Sequence, residues 1–173
     1  EWDTIAIVAC GTSYHAGLVG KYLIEELVRI PCTLEVASEF RYRNPLVNER
    51  QLLVAVSQSG ETADTIAAVQ EAQKRGASVL TICNVVDSTL ARMSDAPIYT
   101  FAGPEIGVAS TKAFTAQLAA FALLTIWLGR RRGAIDADAG RLLLEDLIHL
   151  PILMEEALKE DEHIQQVARK FIR

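Results

Sequence analysis

Val54-Ala55-Val56-Ser57-Gln58-Ser59-Gly60-Glu61-Thr62 carries an apolar, β-branched run straight into three hydroxyl side chains around a glycine, and a helical pattern begins at once. Strand, tight polar turn and helix in that order make one unit of an α/β fold. They also make a seat for phosphate. The first N–H groups of a helix have no partners within it, and the helix dipole concentrates partial positive charge there. Gly60 lacks a side chain, so a ligand can approach the backbone. Ser57, Ser59 and Thr62 add donors that can replace the water shell of a phosphate. Capping of the helix that starts near Thr62 is the simpler role for such a hydroxyl. It accounts for one of the three and leaves two.

Outward from this stretch, the pattern repeats. Residues 4–9, 33–36, 52–56, 79–83 and 98–101 read as strands, the first a continuous apolar run as in a strand covered on both faces. Helices are expected over residues 14–28, 62–75, 88–93, 111–128, 136–158 and 161–172, with one helical turn at 38–43 that Asn44-Pro45 ends. Cys10-Gly11-Thr12-Ser13 reads as a turn, Gly76 as a helix stop, Gly129 and Gly133 as breaks, and Pro151 as a kink or break. Strands alternating with helices predict a parallel sheet with right-handed crossovers. Ligands of such sheets sit beyond the carboxyl ends of the strands, near a topological switch point. Three polar segments leave those ends here, at residues 10–13, 57–62 and 103–111, and they are expected to converge.

The 173 residues suffice for one domain with a full core. Half of them are hydrophobic and 6% aromatic, and the net charge of −5 argues against nucleic acid as the main partner. The one basic run, Arg130-Arg131-Arg132, closes an apolar helix, where cations complement the dipole. Cys10, Cys32 and Cys83 form no CxxC pair, and their odd number fits no disulfide framework. They read as reduced, buried thiols of an intracellular, cytoplasmic protein. His15, His149 and His163 have no zinc-ligand spacing, and no metal or cofactor is expected. Residues 113–128 are membrane-like but contain Thr115, Gln117 and Thr125, and fall short of the ~20 apolar residues a span needs. Burial in a core or a subunit interface is the expected explanation. The chain lacks an initiator methionine, begins one step before a strand and stops without a capping signal, which reads as an excised domain.

A nucleotide ligand is disfavoured by the motifs. GxGxxG does not follow the first strand, GxxxxGK[ST] is absent, and Gly107-Val108-Ala109-Ser110-Thr111-Lys112 has similar letters in the wrong order. A small phosphorylated metabolite fits the hydroxyl-rich seat better. Thr12 and Ser13 are placed to contact the phosphate or the ligand's hydroxyls. Lys112, a cation in the first turn of a helix, opposes the dipole. Either an anion nearby removes the conflict, or it is a solvated lysine or one paired with Glu105. His15 lies beside the first turn, within reach of the site, with a surface or otherwise satisfied histidine the simpler reading.

Three blocks together carry a resemblance: Cys10-Gly11-Thr12-Ser13, Ser57-Gln58-Ser59-Gly60-Glu61-Thr62-Ala63-Asp64-Thr65, and Glu105-Ile106-Gly107-Val108-Ala109-Ser110-Thr111-Lys112-Ala113-Phe114-Thr115. The chain resembles sugar isomerase (SIS) domains. With Ala37-Ser38-Glu39-Phe40-Arg41-Tyr42-Arg43, it is similar more narrowly to the first of the two such domains in isomerising glutamine:fructose-6-phosphate aminotransferases. That resemblance implies an α/β fold of the flavodoxin- or Rossmann-like, three-layer kind: a five-stranded parallel sheet flanked by helices, with C-terminal helices following. One SIS domain over residues 1–173 is expected, with a core at about 1–133 and helices 134–173 leading to a second domain. The parent enzymes are dimers that make glucosamine 6-phosphate and glutamate from fructose 6-phosphate and glutamine. By the same resemblance, Ser57, Gln58, Ser59 and Thr62 bind the phosphate of a hexose 6-phosphate, while Ser13 and the backbone near Val108 hold the sugar. Gln58 and Val108 enter on the resemblance alone. The family's catalytic glutamate and histidine belong to the second SIS domain, its lysine lies near the C-terminus, and its glutaminase domain is separate. This chain is therefore expected to bind hexose 6-phosphate, to pair with a second copy or pack against the second domain, and not to turn over. The same fold also serves as a sugar-phosphate sensor in regulators and as stand-alone isomerases. The first needs a DNA-binding segment and the second a full acid–base set, for which only Glu105 and His15 offer candidates here.

Overall fold

The computed structural model describes residues 2–106 and 110–172. They form two compact units, Glu1–Ile135 and Asp136–Arg173. In the first, β1 (Thr4–Ala9), β2 (Cys32–Val36), β3 (Gln51–Ser57), β4 (Ser78–Cys83) and β5 (Ala96–Tyr99) form one parallel sheet in the order β2-β1-β3-β4-β5. The chain leaves β1 to one side for β2 and to the other for β3, so the switch point lies between β1 and β3.

Burial on both faces explains the apolar strands. Ile5, Ile7, Ala9, Leu52, Val54 and Val56 point to one layer, where α1 (Gly11–Leu23, continued by a wider π turn over Ile24–Val28) and α5 (Lys112–Arg132) pack. Ala6, Val8, Leu53 and Ala55 point to the other, under α2 (Ala37–Phe40), α3 (Ala63–Lys74) and α4 (Thr89–Met93). The two layers alternate residue by residue, the period of a strand. Helices α1 and α5 come close because Gly20 has no side chain: a Cβ there would lie 2.4 Å from the Phe121 ring.

Helix α5 is 21 residues long and contains an 18-residue stretch with a mean hydropathy of 1.3, enough by length and composition to cross a membrane. Half of that apolar stretch is buried, and its inner face packs on α1 and the sheet, which accounts for its composition. It runs through Gly129, read from sequence as a break, and ends at Gly133, whose φ is 74°. Arg130 and Arg132 in its last turn donate to the carbonyls of Ile135 and Trp2.

The second unit holds α6 (Ala137–Leu158) and α7 (Asp161–Arg169). Asp136 caps α6 by accepting from the Ala139 N–H at 2.8 Å. Helix α6 passes through Pro151 unbroken. Many of the unit's apolar side chains, including Ile148, Leu158 and Ile164, are exposed.

Candidate functional site

At the carboxyl ends of β1 and β3 lies an open cavity of about 460 Å³. That is within the ~300–1,000 Å³ common for small-molecule sites. Thr12, Ser13, Ser57, Gln58, Ser59 and Thr62 line it together with Cys10, Gly11, Val56, Glu105 and Ser110. Residues 47 positions apart thus face one space, because Ala9 of β1 is in register with Val56 of β3. Val108 lies outside the described residues.

The segment 10–13, expected as a turn, is instead the start of α1. Cys10 is the extended residue before the helix, and Gly11 already belongs to it. A parallel strand can feed a helix through one residue when that residue is extended, and Gly11 takes the positive φ of 58° that the tight junction demands. Thr12 and Ser13 are therefore held by a helix rather than by a loop. The Ser13 side chain is buried, and its Oγ accepts from Gln117 Nε2 at 3.0 Å.

In the second segment the hydroxyls hold the loop and one another. Ser57 Oγ accepts from the Gly60 N–H at 3.0 Å and lies 3.0 Å from Thr62 Oγ1; Ser59 Oγ accepts from the Glu61 N–H at 3.1 Å. Thr62 precedes α3 without a side-chain capping bond, so its hydroxyl is not spent on the helix. Gly60 lies behind the wall of the cavity. Its φ is 68°, and a Cβ there would fall 2.0 Å from Ser88 Oγ. The space left by its missing side chain is thus taken by Ser88, not by the cavity. Glu61 reaches across to accept from the Thr89 N–H at 2.7 Å, and that bond holds its carboxyl below the usual range.

The third segment places Glu105 at the start of α5. Its carboxylate accepts from the N–H groups of Ala113 (3.0 Å) and Thr111 (3.4 Å) and from the hydroxyls of Thr111 and Ser110. The Ala113 N–H first, and then those of Thr111 and the charge of Lys112, hold this carboxyl below the ordinary 4.5. Of the readings of Lys112, the structure fits the pairing with Glu105, which feels the Lys112 charge and also caps α5. His15 is exposed on α1 with its ring edge against Tyr14 and does not line the cavity.

The lining residues include no lysine or arginine among those described. Anion binding here would rest on hydroxyls and on the starts of α1 and α3, whose first N–H groups lack acceptors a turn earlier. Gln117 escaped the sequence reading. Its one signal was a long polar side chain in a helix otherwise apolar on most sides, and its contact with Ser13 spans 104 residues.

The family model for SIS domains matches residues 1–127. The chain belongs to the SIS domain family. Within it, this SIS domain is 57% identical over 162 residues to the isomerising glutamine--fructose-6-phosphate aminotransferase of Symbiobacterium thermophilum, covering 90% of this chain and 27% of that protein. It is 50% identical over 171 residues to an enzyme of that name from Thermus thermophilus, covering 99% and 28%. The chain thus spans just over a quarter of these relatives. Among solved structures, the C-terminal domain of glucosamine-fructose-6-phosphate aminotransferase from Francisella tularensis superposes with a TM-score of 0.94 at 44% identity, covering 98% of this chain and 48% of that one. The sugar isomerase domain of an RpiR transcription factor from Sphaerobacter thermophilus, at 19% identity and a TM-score of 0.63, shares the fold; the match covers 86% of this chain and 79% of that one.

Proposed function

We propose that this chain is the first SIS domain of an isomerising glutamine:fructose-6-phosphate aminotransferase, and that its cavity binds hexose 6-phosphate. The observation that carries the reading is the convergence of Thr12, Ser13, Ser57, Gln58, Ser59 and Thr62 on one cavity between two helix starts. In the proposed pose the phosphate lies over Ser57, Ser59 and Thr62, with the amide of Gln58 beside it. The loop amides of Gly60 and Glu61 are already tied to Ser57 and Ser59, so the hydroxyls are held in place before a ligand arrives. The sugar extends toward Ser13 and the segment containing Val108. Gly60 supports the site from behind.

The chain binds and does not convert. Moving a proton between two sugar carbons needs a base in reach of them. Glu105, the carboxylate on the cavity wall, is engaged by the start of α5. The base, the ring-opening group and the ammonia source belong to other parts of the parent enzyme. Exposed Leu123 and Trp127 on α5 flank an apolar hollow with Leu80 and Ile98, a surface suited to a second copy or to a second SIS domain. Three free thiols suit the cytoplasm.

Thermal unfolding tests the reading with fructose 6-phosphate, glucosamine 6-phosphate, inorganic phosphate and ATP. A ligand at 100 times its Kd adds ~2.7 kcal/mol, a rise in Tm of roughly 5–10 °C for a chain of this size. The hexose 6-phosphates are expected to raise Tm, and Ser57→Ala with Thr62→Ala to abolish the rise. A rise with ATP alone, or one that survives the double substitution, would refute it.

A further inference from the structure

Gln117 is 2% exposed and on the face of α5 that meets α1 through Ser13; Ala120 and Phe121, one turn further along α5, belong to the hydrophobic core. Its Nε2 donates to Ser13 Oγ at 3.0 Å, and its Oε1 is buried without a hydrogen-bond partner among the described residues. A half-satisfied amide in an apolar helix interface costs stability that a leucine or methionine there would not. Packing alone does not call for it, and its one polar contact leads to the cavity wall.

We infer that Gln117 is a positioning residue that sets the hydrogen-bond polarity of Ser13 toward the sugar. A serine hydroxyl has one proton and two acceptor lone pairs. The Gln117 N–H occupies one lone pair, so the Ser13 proton is free to turn away from α5 and into the cavity. Ser13 then meets the ligand as a donor and selects an acceptor there, a carbonyl or hydroxyl oxygen of the sugar. With the amide reversed, Ser13 would spend its proton on Oε1 and offer only lone pairs. The inference rests on the hexose 6-phosphate reading and divides the site: Ser57, Ser59 and Thr62 hold the phosphate, while Ser13, aimed by Gln117, reads the sugar. Gln117 touches no ligand itself.

The test titrates the 173-residue chain with fructose 6-phosphate and, separately, with inorganic phosphate, for wild type, Gln117→Met, Ser13→Ala and the double variant. Gln117→Met and Ser13→Ala are each expected to weaken fructose 6-phosphate roughly three- to tenfold, the size of one hydrogen bond. The double variant is expected to bind it no more weakly than Ser13→Ala alone, and all four to bind inorganic phosphate equally. Equal phosphate binding also certifies the fold, and Gln117→Leu with the same expectation replaces Gln117→Met if the latter does not fold. Parallel loss of both ligands would make Gln117 a packing residue and overturn the inference. So would unchanged fructose 6-phosphate affinity in the Gln117 variants, or additive losses in the double variant. Wild-type protein that binds neither ligand would refute the functional reading and this inference with it; wild type that binds both, with variants that depart from the expected pattern, refutes the inference alone.

Discussion

Gly60→Ala puts the loop that shapes the phosphate seat under direct strain. Gly60 has a φ of 68°, where an L-residue's Cβ crowds the following carbonyl at a cost of roughly 1–2 kcal/mol. The added methyl would also fall 2.0 Å from Ser88 Oγ and 2.4 Å from its Cβ, and Ser88 is buried at the start of α4. Neither side moves freely, because the Gly60 carbonyl accepts from the Leu90 N–H at 3.0 Å and the Ser88 carbonyl from Arg92. Overpacking of this kind costs about 1–3 kcal/mol. Together these predict a loss of roughly 2–5 kcal/mol, seen as a fall in Tm of roughly 5–15 °C. The steric share can be isolated. Ser88→Gly removes the opposing side chain, and the next atom a Cβ at Gly60 would meet, Cys83 Cβ, is 3.9 Å away. Ser88 makes no side-chain capping bond, but its buried hydroxyl donates to Cys83 Sγ at 3.8 Å, so Ser88→Gly alone should cost about 0.5–1.5 kcal/mol, the size of one hydrogen bond. The double variant should then recover about 1–3 kcal/mol relative to the sum of the singles. Urea unfolding followed by tryptophan fluorescence measures all three, since Trp2 and Trp127 both belong to the Glu1–Ile135 unit. Gly60→Ala within about 0.5 kcal/mol of wild type, or strictly additive effects, would refute this account of the loop.

Two further predictions concern ionisable groups on the cavity wall. Glu105, held below 4.5 by the start of α5, adds stability that is present above the ordinary glutamate range and is lost as pH falls through its lowered value. The gap in Tm between wild type and Glu105→Gln should therefore narrow from pH 7 to pH 3; a constant gap would contradict the capping role. Among the thiols, burial, with Glu25 adding, pushes Cys32 up to about 12, and burial also raises Cys83, whereas Cys10 lines the cavity. A thiol reagent at pH 8, read by mass spectrometry, should modify Cys10 first, and fructose 6-phosphate should slow it. Labelling of Cys32 before Cys10 would contradict the burial argument.

The strands were legible because burial on both faces leaves continuous apolar runs such as Thr4–Ala9, and the hydroxyl cup because its residues are local in sequence. Their order across the sheet was not, since pairing is set by crossovers that no single segment records. Gly11, Thr12 and Ser13 are turn formers in isolation, yet here they open a helix because Cys10 alone completes the junction. Gly129 suggested a break. In the fold a Cβ there would lie 2.4 Å from Ile135 Cδ1, so glycine permits the returning chain to pack against an intact helix. Pro97 concealed the start of β5, but β5 is an edge strand, where a missing N–H is tolerated. Gln117 was out of reach for a different reason. Its partner Ser13 is far along the chain, and only the packing of α1 on α5 brings them together.

A crystal structure of the chain grown with fructose 6-phosphate tests the central claim most directly. The account predicts the phosphate over the hydroxyls of Ser57, Ser59 and Thr62 at the start of α3, with the sugar directed toward Ser13. A phosphate bound anywhere else, or a cavity left empty at millimolar ligand, would contradict it.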